Sequence, residues 1–105
     1  MQYKATKPLT ELQAEIKAQI NNLASETILA RYPLWKQNNM LARATELQSL
    51  GQINTPEWVD LQGAWNWIKA VRDASNAATN VIDGAVSTQT IYLAEATFKN
   101  TIATL

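Results

Sequence analysis

Neither cysteine nor histidine occurs anywhere in the 105 residues. The first absence excludes disulfides and thiolate metal sites, and the second removes the commonest zinc ligand and the usual base of a nucleophile–base pair. Glycine and proline are scarce, three of each. Both interrupt regular structure, so few of them beside abundant Ala, Leu, Gln and Glu predicts long helices on short connections. Charge is sparse and balanced at nine basic and nine acidic side chains, with no Lys/Arg cluster of the kind a nucleic-acid backbone requires. The balance is plus two up to Asn54 and minus two beyond it, too small a difference to steer a charged partner. No run reaches the ~18 apolar residues of a membrane span, and MQYKATKPL has no apolar core of a signal peptide, so the expectation is a cytosolic chain without membrane contact.

What is present is helical periodicity. The stretch Thr55 to Asp83 holds three of the four tryptophans. Thr55 has the side-chain oxygen of an N-cap, Pro56 fits the first helical position, and Glu57 and Asp60 favour the positive end of the dipole. Trp58, Leu61, Ala64, Trp65, Ile68, Val71, Ser75, Ala78 and Ile82 then recur at three- and four-residue steps along one stripe. Trp67 lies about 160° from Trp65 and off that stripe. Either a further helix covers it or it anchors a partner. Gly63, one turn before Trp67, is expected to admit a neighbouring backbone.

Before this stretch, residues 1–7 read as a flexible arm. Pro8 and Thr10 open a helix predicted over 8–31, Thr10 and Gln13 having the spacing of a capping box. Its stripe of Leu9, Leu12, Ile16, Ile20 and Leu23 drifts onto Ala24, Ile28, Tyr32 and Trp35, which suits a helix touching two different neighbours. Glu11 and Glu15, one turn apart, read as a solvated face rather than a metal site, since no third ligand accompanies them. Pro33 predicts a kink or tight break, with a second helix over 34–50. Gly51 is a natural C-cap, and so short a link into the next helix makes 34–83 an antiparallel helical hairpin. After Gly84, Ser87 or Thr88 caps a last helix over 87–105, whose many threonines make it dependent on docking. The predicted fold is all-α, an antiparallel bundle of three to four helices in one domain, with up-and-down topology read from the short links.

No glycine-rich phosphate loop, nucleophile elbow or metal-ligand spacing is present. Lys69 and Asp73 have the spacing of a helix-face ion pair, as do Arg43 and Glu46. The chain therefore reads as non-enzymatic and without a cofactor, acting through protein–protein contacts. Tyr32, Trp35, Lys36, Trp58, Trp67 and Arg72 are the candidate contact residues, with Trp65 central and Gln37 and Lys69 at a polar rim. Apolar stripes on four helices also make a homo-oligomer an expectation.

Two segments, ILARYPLWKQNNMLARATEL (Ile28 to Leu47) and TPEWVDLQGAWNWIKAVRDASN (Thr55 to Asn76), carry a family resemblance. A Tyr-Pro-x-x-Lys-Gln start, a Thr-x-Glu helix opening, a Leu-x-x-x-Trp step and a Trp-Ile-Lys-x-Val-Arg finish resemble helical regions of tailed-bacteriophage tail proteins, particularly those near tail-fibre assembly. The likeness covers roughly half the chain. It implies a structural or chaperone-like part of a phage or prophage tail, in the host cytosol or the virion, whose partner is a tail or fibre component. The alternative is a small phage- or bacteria-encoded regulator that binds a host protein.

Overall fold

The computed structural model describes residues 7–105 as four helices: α1 (Leu9–Arg31), α2 (Leu34–Ser49), α3 (Pro56–Asp83) and α4 (Thr88–Ala103). Of the segment read as a flexible arm, residues 1–6 lie outside the described residues. Lys7 pairs its ammonium with Glu15.

Each boundary has a local cause. The Thr55 hydroxyl accepts from the Trp58 amide at 3.2 Å, with Pro56 in the first turn, and the Ser87 hydroxyl accepts from the Thr90 amide at 3.2 Å. Helix α2 ends in a Schellman motif: the Gln52 amide donates to the Leu47 carbonyl at 2.8 Å and the Gly51 amide to Gln48 at 3.1 Å. Gly51 has φ 70°, a left-handed geometry that only glycine adopts at little cost. The expected capping box at Thr10 does not form. Pro8 occupies the cap position of α1 without a side-chain bond, and Gln13 reaches across to α3 instead. There its amide donates to the Ile82 and Ala85 carbonyls at 2.9 and 3.3 Å, satisfying a helix end that lacks intrahelical partners.

Contacts along α3 fix the topology. Gln13 meets Ile82, Lys17 meets Asp83, the Asn21 side chain meets Ser75, Tyr32 meets Trp67 and Arg43 meets Glu57. From Lys17 to Arg43 the numbers rise along one side of this series as they fall along the other, so α1 and α2 run in the same direction, end to end, along an antiparallel α3. The chain therefore does not reverse at Pro33. That joint is two residues long and has no glycine, and the Lys36 and Gln37 amides donate to the Pro33 carbonyl at 2.9 and 3.0 Å, restarting the helix at once. True reversals occur only after α2 and after α3.

Helix α4 turns back over the C-terminal half of α3 and also touches α1, whereas α2 packs mainly on α3. The molecule thus has a three-helix head and a two-helix stem, 66 × 21 × 20 Å overall. The head holds the core: Leu12, Ile16, Ile20, Ala24 and Ile28 from α1, Ile68, Val71, Ala78 and Ile82 from α3, and Ile91, Ala94 and Phe98 from α4. Ser75 is the one buried polar residue of this core among the described residues, and its hydroxyl donates to the Asn21 side-chain oxygen at 3.0 Å. From α2 only Met40 and Leu47 are buried.

Candidate protein-interaction surface

The six candidate contact residues fall in four places. Tyr32, Lys36 and Trp67 gather at the α1–α2 joint. The Tyr32 and Trp67 rings meet edge to face with centroids 5.7 Å apart, the Arg31 guanidinium lies 4.5 Å over the Trp67 ring, and the Lys36 ammonium sits 5.6 Å from the Tyr32 ring. Trp67 is half-buried against the head core, and its indole N–H is shut away from solvent without an acceptor. Its position off the main stripe follows from this: it faces the joint, where α1 ends. At the joint the Gln37 side-chain amide donates to the carbonyl of Tyr32, the cap of α1, at 2.8 Å.

Trp58 and Trp65 are half-buried where α3 runs beside α2, as the stripe predicts. Arg72 lines a groove of roughly 430 Å³ between α1 and α3 together with Asn21, Ile28, Leu34, Gln37 and Asn76. Trp35 stands apart: 65% of its surface is in solvent. It sits a third of a turn round α2 from Leu41, since six residues at 100° each separate them by 600°, which is 120° short of two full turns.

The stem carries more exposed apolar side chains than these candidates alone. Leu34, Trp35 and Leu41 from α2, then Leu50, Ile53 and Val59, are all exposed. No helix covers these side chains. Gly63 likewise lacks the close neighbour expected of it: a Cβ there meets nothing within 4 Å beyond the helix itself.

Three charged groups of the stem pair with one another. The Arg43 guanidinium forks onto Glu57, with Nε to Oε2 at 2.6 Å and Nη2 to Oε1 at 2.8 Å, and also reaches Glu46. Hydrogen bonding to Arg43 holds the Glu57 carboxyl below its ordinary range. The helix-face pair Lys69–Asp73 forms at 2.8 Å. Among the described residues no group of three or more carboxylates gathers as for a metal ion, and no helix is long and apolar enough to cross a membrane.

No protein-family model, curated protein or solved structure matches this chain.

Proposed function

We propose that the chain is a non-enzymatic structural or assembly protein of a phage or prophage tail, acting through protein–protein contacts made by the stem. One observation carries the contact role. Helix α2 packs mainly on α3 and leaves Leu34, Trp35 and Leu41 in solvent on a single 16-residue helix, with Leu50 exposed at its cap. Exposed apolar side chains so concentrated mark contact surfaces, and an aromatic among them is the usual energetic anchor. The tail assignment draws on the resemblance of the segments Ile28 to Leu47 and Thr55 to Asn76, which together contain most of the stem.

The test is genetic and structural together. Deleting the gene from the phage or prophage that encodes it is expected to abolish assembled tails counted by electron microscopy. Complementation with wild type is expected to restore them, and with Trp35→Ala to restore them poorly. Tails formed in normal number by the deletion strain overturn the proposal.

A further inference from the structure

Between α1 and α3, where α2 begins, lies the groove of roughly 430 Å³ that Arg72 lines. Its size is in the range of clefts that hold a ligand or a short stretch of chain. Arg72 is the only charged residue in the lining, and it is exposed. Every other cation among the described residues has company: Arg31 and Lys36 lie over aromatic rings, and the rest pair with carboxylates. Arg72 has neither. Two amide side chains of the groove are already oriented. Ser75, only 4% exposed, donates its hydroxyl to the Asn21 side-chain oxygen at 3.0 Å, which leaves the Asn21 NH2 free to donate. The Gln37 NH2 is spent on the Tyr32 carbonyl, which leaves the Gln37 oxygen free to accept. Leu29 and Leu34 stand in the same groove with 47% and 63% of their surface in solvent.

We propose that this groove docks a short acidic segment of a protein partner, seating one Asp or Glu carboxylate on Arg72 with an aliphatic side chain beside it against Leu29 and Leu34. Charge decides the carboxylate. A guanidinium with no anion of its own receives a carboxylate in a two-pronged contact and repels a basic segment. Asn21 adds a neutral donor from the facing helix, and the Gln37 oxygen accepts a backbone N–H of the segment. The lining comes from α1, α2 and α3 alone, helices that run alongside the groove. A chain can therefore pass through it, so the carboxylate is that of a side chain rather than of a chain end. Trp35 and Leu41 of the stem do not line it, and the inference does not depend on the tail assignment.

Short random peptides displayed with neither end free, panned against the full chain, test this. Bound sequences are expected to share an Asp or Glu beside a Leu, Ile or Val. The tightest of them, labelled and with blocked ends, is expected to lose about ten- to a hundredfold in affinity on Arg72→Gln, the worth of a hydrogen bond to a charged group, read by fluorescence anisotropy. Lys69→Gln, at an exposed cation of α3 outside the groove, is expected to bind it like wild type. A second readout needs no variant. As this peptide is added to the wild-type chain, the side-chain amide signals of Asn21 and Gln37 are expected to move in a nitrogen–proton correlation spectrum while that of Gln52, in the link after α2, stays. Selected peptides without an acidic residue, or no selected peptide at all, overturn the proposal. So does an acidic peptide whose affinity Arg72→Gln leaves intact, or one that moves neither the Asn21 nor the Gln37 signal. If the groove fails while Trp35→Ala still impairs tails, the contact function of the stem stands.

Discussion

An indole N–H that has given up its water and found no acceptor costs about 1 to 3 kcal/mol, and Trp67 carries one. The ring itself is well placed, edge-on to Tyr32 and under the Arg31 guanidinium, a geometry that contributes about 0.5 to 2 kcal/mol. Trp67→Phe keeps the stack and deletes the orphaned donor, so its urea midpoint is expected to equal or exceed that of wild type. Trp67→Ala removes the ring and is expected to cost about 2 to 4 kcal/mol. Gly63→Ala is expected to stabilise by up to about 1 kcal/mol, because the new methyl enters open space and the unfolded chain loses freedom. Helical spacing alone places Trp67 off the stripe of Trp58 and Trp65. It does not say what lies opposite, because Tyr32 comes from a different helix, and only the direction taken by the chain after Pro33 brings the two rings together.

At the scale of elements, the helix limits were legible because chemistry marks them: Thr55 with Pro56, Pro33, Gly51 and Ser87 each stop or start a helix for a local reason. Partnership between helices was not. The six-residue link 50–55 reverses the chain with a left-handed glycine in it, whereas the two-residue joint at Pro33 has neither the length nor a glycine and carries the chain onward. The stem that results is held by few buried groups. Leu47→Ala, at a residue 1% exposed, is expected to release α2 by about 2 to 4 kcal/mol of local stability. Hydrogen exchange should then quicken over residues 34–49 while amides of α1 and the C-terminal half of α3 stay protected. Acid acts on the same element. The folded-state Glu57 carboxyl titrates below its unfolded value, so its contribution is present above the ordinary carboxylate range and disappears as pH falls from about 5 through the folded pKa. The stem is therefore expected to loosen before the head in an acid titration followed by tryptophan fluorescence. Arg43→Gln is expected to remove the difference, and about 1 M salt to shrink it, since the pair is exposed.

For the whole molecule, the all-α bundle follows from periodicity, but its outline depends on which stripe finds a neighbour. Helix α4 carries Ile91, Ala94 and Phe98 into the head and stops at Ala103, and the 28 residues of α3 extend about 42 Å, well past the reach of α4's 16. What remains is a rod with one thick end. Its radius of gyration is 18.3 Å, against about 13 Å for a compact chain of this length. Drag follows shape as well as mass, so a single copy is expected to travel through a gel-filtration column ahead of a compact protein of the same length. Its small-angle scattering pair-distance curve should rise early and trail out to beyond 60 Å, the long axis measuring 66 Å. In a crowded assembly the same outline is a reach: one thin end spans to a neighbour while the thick end, with its own core, stays folded whether or not the thin end has found anything to hold.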